Sequence, residues 1–197
     1  ALPIYLPLGY GNQVELPITP MEERTYDIFF AGSIEQGGSA PLWSPRRWLR
    51  SPKNVSRQQM LEALDRLAQS HSSMNIQLHT NARFVLNALE YGLTEPGEVL
   101  DAHEYSKTLM NTKICLVPRG TSPETFRFFE GLRAGCVLIT EPLPSRWFYD
   151  GAPTIQIHDW GELHEIVPEL LADPDRMQHL HKQSLHWWKE VCSEEAV

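Results

Sequence analysis

The sequence has 197 residues and a formal net charge of -8 at pH 7, with 42% apolar and 21% charged side chains. The length allows one sizeable hydrophobic core, the composition is that of an ordinary folded protein, and the acidic balance argues against general nucleic-acid binding. No apolar stretch approaches the roughly 18 residues of a membrane-spanning helix, so we predict no membrane span. The three cysteines lack metal-binding spacing. We interpret them as reduced thiols, which predicts a cytoplasmic protein.

The chain begins with a proline-rich segment. Residues 1–23 show neither a helical nor a strand period, and we predict an extended lead-in or linker there, followed by one domain over residues 24–197. The first predicted strand covers residues 26–31. Gly32 and Ser33 follow it directly, and ligands of α/β sheets bind at the carboxyl ends of the strands. We therefore predict Gly32 and Ser33 beside a ligand, with a plain tight turn as the alternative.

A basic stretch follows this strand. Residues 43–57 contain five basic side chains, no acidic one and two interleaved tryptophans. Three interpretations stay open: a flap over an anionic ligand, a surface that contacts RNA by stacking and phosphate binding, or a solvated loop that offsets an acidic body.

Helices and strands then alternate along the chain. Apolar spacing predicts a helix over residues 56–70, with Ser56 as its N-cap, and a strand over residues 74–79. A second helix is predicted over residues 81–91 and a short third helix over residues 103–112. Alternation of this kind is typical of a parallel sheet covered by helices.

The central unit of the sequence is a strand, a glycine turn, a helix and a second strand, at residues 114–117, 119–123, 123–134 and 136–140, with Pro123 shared by the turn and the helix. Gly120 is predicted to adopt a backbone conformation closed to other residues. Ser122 is the predicted N-cap, because Pro123 fits the first helical position, and Gly135 is the predicted helix stop.

The start of this helix has the features of a phosphate site. Backbone N–H groups and the positive end of the helix dipole gather there, and Arg119 and Arg127 add charged donors. Glu130 lies one turn after Arg127, and a carboxylate beside a phosphate site suits a pair of sugar hydroxyls. An ordinary surface ion pair between Arg127 and Glu130 is the alternative. Glu141, at the end of the second strand, is either a hydroxyl-binding group or a solvated turn residue.

The chain closes with a predicted strand over residues 153–158 and two helices over residues 161–172 and 175–191. Trp187 and Trp188 lie on the last helix and are predicted to be exposed. The whole pattern predicts an α/β sandwich of three layers with a parallel central sheet.

The central unit resembles the core motif of the exostosin family of glycosyltransferases. That motif has an apolar strand, Pro-x-Gly, Ser/Thr-x-Arg, a helix with an acidic residue, and Ala-Gly-Cys before a second strand. The matching positions here are Pro118, Gly120, Thr125, Arg127, Glu130, Ala134, Gly135 and Cys136. The resemblance implies a Rossmann-like domain, similar to the C-terminal domain of GT-B enzymes, which holds the donor nucleotide.

The resemblance also implies roles for single residues. Arg127 and Glu130 would be the catalytic pair, with Arg127 neutralising the donor diphosphate and Glu130 holding ribose hydroxyls. The remaining donor-binding residues would be Gly32, Ser33, Arg119, Gly120, Thr121, Ser122, Thr125 and Glu141. No metal is expected, because the one Asp-x-Asp spacing, Asp173 and Asp175 around Pro174, lies in a predicted turn between two helices and not in a metal motif.

The function implied by the resemblance is transfer of a sugar from a nucleoside diphosphate sugar, UDP-linked by expectation, to a glycan hydroxyl. The partners would be that donor, a glycan or other hydroxyl acceptor, and an acceptor domain or partner chain on the N-terminal side. The alternative is a non-catalytic nucleotide-binding or protein-interaction module of the same fold.

Overall fold

The computed structural model describes residues 5–34, 51–80 and 101–197. Its strands are β1 Tyr26–Gly32, β2 Ile76–Thr80, β3 Thr112–Val117, β4 Val137–Thr140 and β5 Thr154–Gln156. Its α-helices are α1 Pro52–Ser70, α2 Ala102–Met110, α3 Phe126–Arg133, α4 Leu163–Leu171 and α5 Pro174–Trp187. The predicted helix over residues 81–91 and most of the basic stretch lie outside the described residues.

The five described strands form one sheet in the order β2-β1-β3-β4-β5, and every neighbouring pair is parallel. Ile28 of β1 is in register with Ile76 on one side and Ile114 on the other, and Ile114 is in register with Val137. All carboxyl ends therefore meet at one edge of the sheet. The prediction of an α/β fold with a parallel sheet is confirmed.

Both faces of the sheet are covered, because successive side chains of each strand point to opposite faces. Ile28 and Phe30 pack in a cluster with α1, α4 and α5. Phe29, which lies between them, packs in a second cluster with α2 and α3. All three side chains are 0% exposed. The predicted three-layer arrangement is therefore correct.

Two predicted helix starts are wrong. Helix α1 begins at Pro52, because the side chain of Ser51 accepts a hydrogen bond from the Asn54 N–H and caps the helix one turn earlier than predicted. Helix α3 begins three residues later than predicted, with Thr125 as N-cap. The preceding loop closes on itself instead, since the N–H of Gly120 donates to the carbonyl of Ser122 and Ser122 Oγ donates to the carbonyl of Glu124.

The two glycines of the central unit behave differently. Gly135 ends α3 as predicted, with φ at 69° in the left-handed region. Gly120 does not have a positive φ, so the prediction of a special backbone conformation there is wrong. Its loop forms from hydrogen bonds that any small residue would permit.

Residues 5–20 carry no strand or α-helix and lie against the domain. The domain boundary after residue 23 stays a prediction. Among the described residues, no helix combines the length and the hydropathy needed to cross a bilayer. The predicted cytoplasmic location is not tested by this observation and stays a prediction.

Candidate functional site

Arg127 lies at the carboxyl edge of the sheet. It is the second residue of α3, its Nη2 donates to the carbonyl oxygen of Ala31 at the end of β1, and its Cζ lies 4.6 Å from the centre of the Phe30 ring. Its Nε is buried and has no hydrogen-bond partner among the described residues. The start of the helix therefore places the Arg127 guanidinium, whose Nε–H has no acceptor in the described structure, at the edge where ligands of α/β sheets bind.

A second arginine reaches the same point from α1. Arg57 Nη1 donates to the carbonyl of Ser33, and Lys53 Nζ donates to Ser33 Oγ at 2.9 Å. A Cβ at Gly32 would lie 2.8 Å from Arg127 Nη2 and 3.3 Å from Arg57 Nη1. Both guanidinium groups thus lie close to Gly32. Three cations at one sheet edge favour an anionic ligand.

Arg57 and Lys53 were not predicted as site residues one by one. The signal in the sequence was the basic stretch over residues 43–57, which has no acidic member. Its described part lies on α1 and faces the end of β1. This position fits the interpretation that the stretch serves an anionic ligand, although only residues 51–57 of it are described.

Glu130 lies on the same helix and is almost fully buried, with 7% of its surface exposed. Its Oε1 accepts hydrogen bonds from the N–H groups of Gly11 at 3.0 Å and Asn12 at 3.2 Å. Its Oε2 accepts from Tyr105 Oη at 2.6 Å. In the described structure Glu130 makes no ion pair with Arg127, so the alternative of a surface ion pair between them is wrong.

Tyr105, on α2, is a site residue that sequence reasoning missed. Burial is the main reason why the pKa of Tyr105 lies well above its usual value, and Arg127 and Glu130 are both close enough to influence it. The tyrosine therefore stays protonated and keeps its hydroxyl available as a donor to Glu130. An open cleft of about 600 Å³ borders this pair and is lined by Gly11, Asn12, Gln13, Val14, Ala102, Tyr105 and Glu130.

The loop between β3 and α3 is fixed by Glu141. Its Oε2 accepts hydrogen bonds from the N–H of Arg119 at 2.9 Å and from Ser56 Oγ at 2.7 Å. Ser56 was predicted as a helix cap, and that prediction is wrong: it lies buried inside α1 and joins this helix to the loop. Glu141 has a structural role here, and its contact with a ligand stays a prediction.

Two more polar atoms in this loop have no partner among the described residues. Arg119 Nε and Thr125 Oγ1 are both buried and make no hydrogen bond. Thr121 and Ser122 are exposed at the tip of the loop. Buried polar groups in proteins are nearly always paired, so unpaired ones beside a helix start are a place where a ligand can supply the missing partner.

The described residues contain no group of three or more His, Cys, Asp or Glu side chains arranged to hold a metal ion. Metal independence stays a prediction. The basic and hydroxyl side chains around Gly32 and the start of α3 are suited to bind a phosphate directly, through charge-assisted hydrogen bonds.

The two tryptophans near the end of the last helix, Trp187 and Trp188, pack against other parts of the domain. Trp187 Nε1 donates to the carbonyl of Phe148 at 3.1 Å, and the Trp188 ring packs edge-on against Tyr10 at 5.5 Å. Both are half-buried, so the prediction that they are exposed is wrong. They hold the C-terminal segment and the N-terminal segment against the domain.

The fold and the site define a Rossmann-like α/β domain with a cluster of cationic side chains at the carboxyl edge of its sheet. The chain belongs to the glycosyl transferase-like family, whose model matches residues 46–191. This membership confirms the predicted resemblance at the level of the family.

Relatives with similar sequences are exostosins. The chain is 32% identical to Exostosin-1b of Danio rerio over 111 residues, which are 55% of this chain and 13% of that protein. It is 39% identical to the Exostosin-1 homolog of Caenorhabditis elegans over 84 residues, which are 39% of this chain and 21% of that protein. The chain thus matches about a fifth or less of the length of these relatives.

Solved structures share the fold. A sucrose-phosphate synthase from Thermosynechococcus elongatus superposes with a TM-score of 0.55 at 17% identity, covering 90% of this chain and 43% of that one. The GtfA/B complex superposes with a TM-score of 0.55 at 14% identity, covering 94% of this chain and 36% of that one. Both likenesses support the Rossmann-like architecture of GT-B glycosyltransferases.

Proposed function

We propose that this chain is the donor-binding domain of a glycosyltransferase, which transfers a sugar from a nucleoside diphosphate sugar, UDP-linked, to a glycan hydroxyl. The observation that carries the proposal is the pair of guanidinium groups of Arg57 and Arg127 close to Gly32. They lie at the carboxyl edge of a parallel sheet, beside the start of α3, where a diphosphate binds best.

The chemistry follows from the charge that develops during transfer. When the bond between the sugar and the diphosphate breaks, the leaving diphosphate gains negative charge. Fixed positive groups that face it stabilise the transition state more than the ground state. Arg127, with its unpaired Nε, is the group best placed to do this, and the N-terminus of α3 adds its dipole.

Glu130 supports the nucleoside part of the proposal. A carboxylate accepts hydrogen bonds from two neighbouring hydroxyls, and Tyr105 holds one of its oxygens in place. Glu130 follows Arg127 by one turn of α3, so ribose and diphosphate would bind along the same helix. The glycan acceptor and the domain or chain that holds it belong to the proposal as well.

A second candidate function is a non-catalytic binding module of the same fold. The observation that favours it is that both carboxylate oxygens of Glu130 already accept hydrogen bonds from the chain itself. A module of this kind would no longer bind a nucleotide.

Titration calorimetry with UDP tests the proposal and separates the two candidates. We expect UDP to bind the wild-type chain, and Arg127→Ala to weaken binding by about 10- to 100-fold, since a charge-assisted hydrogen bond contributes about 1.5–3 kcal/mol. Arg66→Ala is the matched control, because Arg66 is an exposed arginine on α1, more than two turns beyond Arg57.

Equal UDP affinity of the wild type and Arg127→Ala would contradict the proposal. Complete absence of UDP binding would favour the non-catalytic module. A transfer assay on the longer protein, with and without Arg127→Ala, then tests catalysis itself.

A further inference from the structure

The N-terminal segment occupies the carboxylate that the proposed function assigns to ribose. We call residues 10–14 the strap. The N–H groups of Gly11 and Asn12 both donate to Oε1 of Glu130, at 3.0 Å and 3.2 Å. Two neighbouring donors on one carboxylate oxygen make the same kind of contact as two neighbouring sugar hydroxyls. Because Glu130 is 7% exposed, the strap and a ribose have no room to bind it together.

Asn12 fixes the strap to two helices. Its Nδ2 donates to the carbonyl of Ala102 at 2.7 Å and to Ser106 Oγ at 2.8 Å, both on α2. Its own carbonyl accepts from Arg133 Nη2 of α3 at 2.8 Å. These contacts hold the strap closed without involving Arg127 or the sheet edge.

Release of the strap would break side-chain contacts, such as those of Tyr10 with Arg133 and Trp188, but no part of the sheet. Residues 5–20 belong to no strand or α-helix, so their release breaks no ladder of the sheet. Gly9 has a φ of 72°, and a Cβ there would meet nothing within 4 Å. A glycine in open space is a position about which the backbone can turn at low cost. The cleft of about 600 Å³ lies directly beside the strap and Glu130.

We propose that the strap is an internal competitor for the nucleoside. In the nucleotide-free chain its N–H groups hold Oε1 of Glu130, and they leave when ribose hydroxyls bind that oxygen. Tyr105 stays on Oε2 in both states and keeps the carboxylate oriented. This inference rests on the proposed function, because it takes Glu130 as the ribose ligand. Apparent nucleotide affinity is then reduced by the fraction of chains in which the strap is closed.

Amide hydrogen exchange on the wild-type chain tests the release directly, with UDP as the probe. We expect the N–H groups of Gly11 and Asn12 to exchange faster when UDP is saturating, because they lose their acceptor. Ordinary ligand binding slows exchange, so the sign of the change is diagnostic. Unchanged or slower exchange at both positions, with UDP bound, overturns the competition.

A variant provides the second test. Asn12→Ala removes both hydrogen bonds to α2 and leaves Arg127, Glu130 and Tyr105 intact. We expect it to lower the Kd for UDP about 5-fold or more, since each lost hydrogen bond favoured the closed strap by about 0.5–1.5 kcal/mol. Pyrophosphate, which lacks a ribose, is the matched ligand and should bind the wild type and the variant equally.

The outcomes separate this inference from the function on which it rests. If UDP binds the wild type and Asn12→Ala with the same Kd, the proposed competition by the strap is wrong and the donor-binding function stands. UDP that binds neither chain overturns the donor-binding function. An equal gain for pyrophosphate and UDP also overturns the competition, because the strap would then act on the phosphates rather than on Glu130.

Discussion

At the scale of single residues, the space around Gly32 restricts which residue the site accepts at that position. The end of β1 passes so close to Arg127 and Arg57 that a methyl group at Gly32 would touch both guanidinium groups. The φ of Gly32 is not positive, so the backbone itself would accept another residue. Glycine is required here by the space around Arg127, and that space belongs to the proposed diphosphate site.

Gly32→Ala is therefore expected to impair binding more than folding. The added Cβ would lie 2.8 Å from Arg127 Nη2, the far end of a flexible side chain, which would move away at small cost to stability. We expect a UDP affinity lower by about 10-fold, for the loss of one charge-assisted contact, and a free energy of unfolding within about 1 kcal/mol of the wild type. Calorimetry and urea denaturation measure the two quantities.

Gly135 and Gly120 form a matched pair of glycines for which substitution is expected to act on folding and not on binding. Gly135 has a φ of 69°, and a Cβ there would lie 2.6 Å from His181 Nδ1. Gly120 has no positive φ, and its nearest contact would be 3.4 Å from a methyl of Thr125. We expect Gly135→Ala to lower the free energy of unfolding by about 1–3 kcal/mol and Gly120→Ala to change it little. Equal losses in urea denaturation would show that the left-handed conformation is not the cause.

At the scale of elements, α3 sets the geometry of the site by the way it packs. Phe128, Phe129 and Leu132 are fully or almost fully buried, and a Cβ at Gly131 would lie 2.5 Å from Leu138 of β4. This close approach fixes the helix against the sheet, and the first turn of the helix lies at the carboxyl edge. This packing determines the positions of Arg127 and Glu130.

Helix α5 is attached to the other end of α3 by a histidine. His181 is buried, and its Nδ1 donates to the carbonyl of Gly135 at 2.7 Å. Ser184 Oγ, one turn further, donates to the carbonyl of Cys136 at 2.9 Å. Burial is the main reason why the pKa of His181 lies below its usual value. Burial therefore favours the neutral imidazole, although the hydrogen bond to Gly135 by itself favours the charged form.

The preference of the folded chain for neutral His181 predicts how stability depends on pH. Because the pKa of His181 is lower in the folded than in the unfolded chain, the unfolded chain binds the proton first as the pH falls below about 6.5. The stabilisation is complete above that pH and is lost below it. We expect His181→Asn to reduce the fall in the free energy of unfolding between about pH 7.5 and pH 5.5. His179→Gln, exposed on the same helix, should leave that fall unchanged.

At the scale of the whole molecule, two hydrophobic clusters on opposite faces of one sheet hold the site in place. Each face of the sheet is covered by helices, and large buried side chains on the two faces include Phe29 and Phe30 of β1 and Phe129 of α3. Binding at the carboxyl edge therefore couples to global unfolding. A ligand that binds only the folded state stabilises all of it.

Thermal unfolding with UDP measures that coupling. A nucleotide at about 100 times its Kd adds about 2.7 kcal/mol to the free energy of unfolding. For a chain of this size the expected rise in Tm is about 5–10 °C. Arg127→Ala, at the same nucleotide concentration, should show a much smaller rise. A large rise that survives in Arg127→Ala would locate the nucleotide elsewhere on the molecule.

The sequence by itself determined the order and type of the described elements and the position of the central unit. Residues 114–117 of β3 and 137–139 of β4 are continuous apolar runs. Arg127 and Glu130 are three residues apart on one helix, and this spacing is a local property of the sequence. Family membership followed from the same stretch. Helix starts were predicted less well, because hydrogen bonds within the loop of Gly120 and Ser122 compete with helix formation over a few residues.

Only the tertiary structure decided which distant groups meet at the site. Glu130 contacts Gly11, which is 119 residues away in sequence, and Tyr105, which is 25 residues away. Arg57 meets Arg127 at Gly32 because α1 and α3 lie on opposite faces of the sheet and both reach its carboxyl edge. Local patterns carry the propensity of each element, whereas these contacts depend on how the sheet orders its strands and on which helix covers each face. A sequence pattern specifies the propensity of each element, whereas tertiary packing decides which distant groups come into contact.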